Sequence, residues 1–229
     1  MIEKNDPILG KRVYDYLVSL QIETPLNLIA LGKSNEDKVT FLIPLIQESL
    51  VVLGLDITDD SLADTAKRVA KMWVYEDMMG LDYNNFPKCT TIQNKINYGT
   101  HFVCEKNIQI QSLCEHHLKA ISGYATIAYI PRQKVLGLSK LNRIANFYSR
   151  RPQVQERLTM QIAAAISFVA ETPDVAVYID AVHDCVKTRG IMDPCSDTVT
   201  LQTLGVFSVG GGFERAEFLQ VASLQKQPV

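Results

Sequence analysis

Two short runs hold most of the chain's soft metal donors: Cys114-Glu115-His116-His117 and His183-Asp184-Cys185. The chain has five cysteines and four histidines, and nine such residues scattered over 229 positions would put about 0.3 of a residue in these seven places, against five found. Thiolate and imidazole are the donors that zinc prefers. Cys114 and His117, at i and i+3, suit a turn clasping one ion, and the alternation from Val175 to Cys185 predicts a strand with His183 and Cys185 on one face. Crowding makes it unfavourable for His116 and His117, or for His183 and Cys185, to reach one ion together. Cys114, His117 and Cys185 then remain as ligands, with the imidazoles of His116 and His183 beside the metal. Four ligands would close a structural site, whereas three leave a position for water, and water between two imidazoles is an arrangement for acid–base hydrolysis.

A second group could hold anions. Lys140 and Arg143 stand at i, i+3 on the polar side of one helical pattern, and Lys187 and Arg189 follow Cys185 within four residues. Taken alone, Lys140 and Arg143 are more simply a solvated helix face. Gln155 and Glu156 open the next helical pattern, where an acid complements the helix dipole. Cys89, Cys104 and Cys195 read as small buried hydrophobes and His101 as a solvated loop residue.

The elements that must position these groups follow from periodicity. An N-terminal helix candidate is followed by a polar linker, Glu23 to Asn35. A helix is expected from Asn35, as its cap, to about Leu55, kinked or ended at Pro44. The box Ser61-x-x-Asp64 predicts a further helix with the stripe Leu62, Ala66, Val69, Trp73 and a stop at Gly80. Strands are predicted near Thr90–Ile96, Phe102–Leu113 and Tyr124–Ile130. Two helices then carry Leu138, Leu141, Ala145, Tyr148 and Val154, Leu158, Ile162, Ala165, Val169, with Pro152 in the first turn of the second. Strands return at Val175–Cys185 and Thr198–Phe207, before the run Gly210-Gly211-Gly212 and a helix from about Glu214 to Leu224. Strands, a helix pair, then strands imply an α+β fold. The expected division is an N-terminal helical region, 1–85, and a region bearing the chemistry, 86–229.

Composition narrows the function. With 23 basic and 25 acidic residues and no block of like charge, neither nucleic-acid wrapping nor an acidic tail is expected. The most apolar stretches, Phe41–Ile57 and Ala163–Ala170, are broken by Gln47, Glu48 and Ser49 or too short, so no membrane span is expected. No signal peptide is read at the start, and an odd cysteine count argues against a disulfide framework; reduced cysteines and a cytoplasmic location are the expectation.

Ser112-Leu113-Cys114-Glu115-His116-His117, Gly137-Leu138-Ser139-Lys140, Arg151-Pro152-Gln153-Val154-Gln155-Glu156-Arg157-Leu158 and His183-Asp184-Cys185-Val186-Lys187-Thr188-Arg189-Gly190 closely resemble type I GTP cyclohydrolase. The resemblance extends from about Thr58, with Asp64-Thr65-Ala66-Lys67-Arg68-Val69-Ala70-Lys71-Met72 matching the family's N-terminal helix motif, to Glu217-Phe218-Leu219; roughly the first 55 residues are weakly covered. It implies a tunnelling fold, in which an antiparallel sheet carries two helices and is preceded by N-terminal helices. Five subunits would close a β-barrel, two pentamers would stack into a homodecamer, and the active sites would lie at subunit interfaces. It also implies one Zn2+ per subunit on Cys114, His117 and Cys185, and hydrolysis and rearrangement of GTP to 7,8-dihydroneopterin triphosphate with loss of C8 as formate. His116, His183 and Ser139 would be catalytic, the two histidines as proton shuttles. Glu156, with Gln155 nearby, would meet the donor edge of guanine. Lys140, Arg143, Arg189 and, from another subunit, Arg68 would clamp the triphosphate, which reverses the solvated-face reading of Lys140 and Arg143. Ala66 replaces a proline common in the family motif, and the Met192–Cys195 segment also departs from it. The alternatives are a non-catalytic zinc-containing protein that binds a pterin or purine, and a metal-dependent hydrolase of another heterocycle.

Overall fold

The computed structural model describes residues 4–96, 99, 101–210, 212–224 and 226; Gly211 of the glycine run lies outside them. Helix α1 (Pro7–Ser19) starts where the Asp6 carboxylate accepts the Leu9 N–H at 3.0 Å and Pro7 supplies the first-turn φ. The expected linker contains one helical turn, α2 (Leu28–Leu31). Helix α3 (Asn35–Val52) is capped one residue earlier than expected: Ser34 Oγ accepts the Asp37 N–H at 3.0 Å. It also runs through Pro44 without ending. A proline deletes only one helical donor, and on a helix as exposed as this one water can serve the carbonyl left over.

Helix α4 (Thr65–Met72) begins later than the Ser61 box predicts. Asp59 Oδ1 takes both the backbone N–H and the hydroxyl of Ser61, at 2.9 and 2.6 Å, and this local turn outcompetes capping. A π-helical turn, Trp73–Asp77, continues α4. Gly80 is not a helix stop. It lies in a buried 3-10 turn, Met79–Leu81, where its N–H donates to the Arg150 carbonyl at 2.8 Å and a Cβ would collide with the Phe147 carbonyl.

The centre is a five-stranded sheet in the order β5 (Pro152–Gln153), β2 (Val103–Cys114), β3 (Ala120–Tyr129), β6 (Val175–His183), β7 (Thr198–Thr203). It is antiparallel throughout except that β5 runs parallel to β2, pairing Leu113 with Pro152 and Cys114 with Gln153. Pro152 is thus in a strand and not in a helix turn. Strands β1 (Thr91–Gln93) and β4 (Lys134–Leu136) form a separate pair. Helices α5 (Leu138–Ser149) and α6 (Gln155–Ala170) cover one face of the large sheet. Ile121, Ala125 and Ile127 of β3, with Val175, Val177, Ile179 and Ala181 of β6, share one core with Leu141, Ile144, Leu158 and Ile162. The side-chain period of two sets which residues meet the helices. Val13 and Leu17 of α1 join this same core. On the opposite face, Ala128 and Ala176 pack with Phe207, Phe218 and Ala222, the last two from α8 (Phe213–Ala222).

Strand β6 stops at His183, and the chain turns into a single helical turn, α7 (Asp184–Lys187). Cys185 therefore leaves the strand alternation expected for it. The observed architecture is α+β, as the element pattern predicts, and no helix among the described residues is long and apolar enough to cross a membrane.

Candidate metal centre

Three elements end together at one end of the sheet. Cys114 is the last residue of β2 and 5% exposed. Its carbonyl accepts the N–H groups of His117 and Leu118, at 3.3 and 2.8 Å, and Leu118 takes a left-handed φ of 51° to close the turn. The turn is held from the side as well: the Glu115 N–H donates to the Gln153 carbonyl of β5 at 3.0 Å, and the Glu115 carboxylate pairs with Arg157 of α6. Cys185 arrives from α7, after β6, which is paired with β3 next to β2.

The result is a triangle of donors. One ligand atom each from Cys114, His117 and Cys185 lies within 4.8 Å of the others, with Cys114 Sγ 3.8 Å from His117 Nδ1. Bond lengths of about 2.3 Å to sulfur and 2.0 Å to nitrogen put the edges of a zinc tetrahedron at about 3.5–3.8 Å, so the Cys114–His117 edge is already close to fitting and the others need to contract by no more than about 1 Å. Burial first, and then the Cys114 sulfur, push the Cys185 thiol above its ordinary pKa; a divalent cation between the sulfurs reverses that sign. Arg189 Nη1 stands 2.6 Å from His117 Nε2. A guanidinium only donates, so Nδ1 can serve a metal only once Nε2 carries the ring proton and this contact is given up.

Two further histidines lie within two residues of the donors, His116 after Cys114 and His183 before Cys185. His116 Nδ1 is 3.9 Å from Cys114 Sγ, and its Nε2 is 3.8 Å from Glu115 Oε1. His183 Nε2 lies 2.7 Å from Gln155 Oε1. Burial lowers the His183 pKa, and the charge of Glu156 partly offsets this, which places Glu156 within electrostatic reach of His183. Gln155, expected at the guanine edge, is 1% exposed and its amide is engaged by the sheet on one side and His183 on the other.

The remaining expected site residues are less closely gathered. Ser139 and Arg143 are exposed on α5, with Lys140 half-buried between them. Near the start of that helix, burial pushes the Cys89 thiol up to about 12 against the pull of Lys140 and, more weakly, Arg143. Arg68 is exposed on α4, 3.6 Å from Asp64. The 500 Å³ apolar cleft among Phe41, Leu42, Trp73 and Met78 contains none of the expected site residues. Sequence reading missed the roles of Gln153, Arg157 and Glu115 in holding the metal turn. Glu115 and Arg157 stand 42 positions apart and only the β2–β5 pairing brings them together.

Comparison with known proteins agrees with this geometry. A family model described as GTP cyclohydrolase I matches residues 44–223. Among curated relatives, GTP cyclohydrolase 1 of Shewanella sp. (strain ANA-3) is 51% identical over 199 residues, covering 86% of this chain and 90% of the relative. The protein of the same name from Shewanella amazonensis is 48% identical over 210 residues, covering 92% and 95%. That from Shewanella denitrificans is 54% identical over 176 residues, covering 77% and 80%. With the family model spanning most of the chain and the donor triangle lying inside the matched segment, this protein belongs to the GTP cyclohydrolase I family.

Proposed function

We propose that this chain is a GTP cyclohydrolase that uses one zinc ion per subunit to convert GTP to 7,8-dihydroneopterin triphosphate and formate, at the entry to folate or tetrahydropterin synthesis. The observation that carries this reading is the triangle of Cys114, His117 and Cys185, with the His116 ring 3.9 Å from the Cys114 sulfur. Two sulfurs and one nitrogen match zinc's donor preference and leave one coordination position. When bound there, zinc supplies Lewis acidity toward the purine and lowers the pKa of water near C8.

The chain's own residues do the rest. His116 and His183 move protons at the purine N7 and the ribose ring oxygen, where a pKa lowered by burial keeps His183 able to accept near neutral pH. Ser139 assists at the ribose. The Glu156 carboxylate accepts hydrogen bonds from the N–H groups on the guanine edge, a match that adenine leaves unmet. Lys140, Arg143 and Arg189, with Arg68 from another subunit, hold the triphosphate through charge-assisted hydrogen bonds.

The sheet supports assembly with further copies of the chain. Over most of its length β2 has no strand on its outer side among the described residues, and β7 has none either. Two open edges favour closure with neighbouring copies into a barrel, as a decamer of two pentamers, and a cytoplasmic setting keeps the ligand thiols reduced. The test is direct: purified protein with GTP should release formate and a pterin that fluoresces on oxidation. Chelation of zinc should stop both and zinc should restore them. GTP left unchanged by the zinc-loaded protein would favour a binding protein of the same fold.

A further inference from the structure

Gln155 is the first residue of α6, and its side chain points into the sheet and away from solvent. Its Nε2 lies 2.8 Å from the Thr198 carbonyl, 3.1 Å from Thr200 Oγ1 and 3.3 Å from the Ile179 carbonyl. Carbonyls only accept, so the amide has one orientation: turned over, it would set its oxygen against two carbonyl oxygens. The surroundings hold that orientation. Thr159 Oγ1 donates to the Gln155 carbonyl at 2.7 Å, and the hydroxyls of Thr159 and Thr200 are 2.6 Å apart. With Nε2 committed to β6 and β7, Oε1 must face His183 Nε2, at 2.7 Å.

An amide oxygen only accepts, so His183 Nε2 must carry a proton. A neutral imidazole has one N–H, which leaves the lone pair on Nδ1. We infer that Gln155 is a positioning residue: it fixes the ring and the tautomer of His183, so that His183 exchanges protons with the substrate through Nδ1 alone. The Gln155 side chain then acts through His183 and does not reach guanine, in place of the guanine contact that the family resemblance implies for it. A glutamine oxygen in this place holds the single proton of the neutral His183 ring on Nε2, much as second-layer partners fix the tautomer of histidines bound to metals. The kinetic part of this inference rests on the GTP-converting reading above. The tautomer part does not.

The experiment uses zinc-loaded protein labelled with 15N only in histidine, which gives four imidazoles, with His183 assigned by its absence from His183→Asn. At alkaline pH the wild-type His183 signal should show a protonated Nε2 and an unprotonated Nδ1. A protonated Nδ1, or an equal mixture, would overturn the inference whatever any variant does. Gln155→Met, of similar length and with no acceptor, should mix the tautomers and lower kcat by about tenfold or more, with KM and zinc content within about twofold. A KM raised about tenfold with kcat unchanged would show instead that Gln155 contacts GTP. If Gln155→Met does not fold, the wild-type spectrum decides. If wild-type protein does not convert GTP while the spectrum shows the expected tautomer, the functional reading fails and the positioning of His183 stands.

Discussion

The metal end of the sheet and the cation-bearing helices α4 and α5 are built on opposite plans. At the metal end the backbone and its neighbours hold the groups in advance: Cys114 ends a strand, Glu115 is tied to β5 and α6, and His183 rests on a buried amide. On α4 and α5, Arg68 meets an exposed carboxylate, and among the described residues no carboxylate pairs with Lys140 or Arg143. Each plan suits the ligand proposed for it. A small cation is bound at distances fixed to a few tenths of an ångström, so its donors gain from being preset. A triphosphate is long and multiply charged, and cations left in water lose no hydration until it arrives. Solvated arginines on a separate helix can also be shared with a neighbouring copy, whereas the donor triangle is complete within one chain.

The largest expected effect tests the preset end. Cys185→Ser and Cys114→Ser should lose nearly all zinc and all GTP conversion while keeping the fold, as read by metal analysis and circular dichroism. Full zinc occupancy in both variants would break the comparison, because the triangle would not be the metal site. His116→Ala should keep zinc and lower kcat by about 10²–10⁴, the usual range for an acid–base group; loss of zinc would make His116 a ligand.

Glu156→Gln comes next, because the helix-dipole role and the guanine role demand different things of one carboxylate. A dipole role costs about 0.3–1 kcal/mol of stability and leaves GTP affinity intact. Recognition predicts GTP binding weaker by about tenfold to a hundredfold, equivalent to about 1.4–2.7 kcal/mol, with zinc and assembly preserved. Calorimetric titration with a thermal melt separates the two. The smallest effect belongs to the cations of α5 taken singly: Lys140→Met or Arg143→Met should each raise the GTP dissociation constant by a few-fold to about tenfold, and the loss should shrink at high salt. A change in zinc content in either variant would show that the two regions are coupled.

How much of this was legible in the sequence differs by element. The donor triangle and the α+β order follow from residue type and short-range period, which act over a few positions and survive any packing. The sequence carries the three donors that come together, Cys114, His117 and Cys185, but not the backbone that presents the last of them. The alternation predicts Cys185 on a strand beside His183, but β6 ends at His183 and a helical turn presents the thiol. Chemistry needs the sulfur at the metal and is indifferent to how the backbone brings it there. Ser61 failed as a helix start because Asp59, two residues before it, offers a closer partner than the coming helix does. Capping patterns list compatible residues and do not rank rival hydrogen bonds.

The N-terminal segment shows the limit most clearly. Glu23, read as part of a polar linker, is nearly buried against Arg151, which has no exposed surface. Their ion pair, at 3.0 Å, is enclosed by Tyr83, Phe147 and Tyr148. Nearby, Gln161 donates to the Ile22 carbonyl and accepts from Gln153, the residue paired with Cys114. A lone glutamate in a polar stretch and a lone arginine before a proline carry no sign of each other at 128 positions' separation. Burying either charge alone would be strongly unfavourable, so such a pair exists only where the chain brings both together.

By itself, then, the order of residues determined the donor set, the family it resembles, the element types and the absence of a continuous apolar span. Those depend on side-chain chemistry and on periods of two and 3.6, which are local. Tertiary structure alone decided that Gln155 lies beneath His183, that Pro152 joins a strand, and that Glu23 meets Arg151. Each of these is a contest for a buried hydrogen bond or charge, and its outcome depends on which partners the sheet brings within about 3 Å.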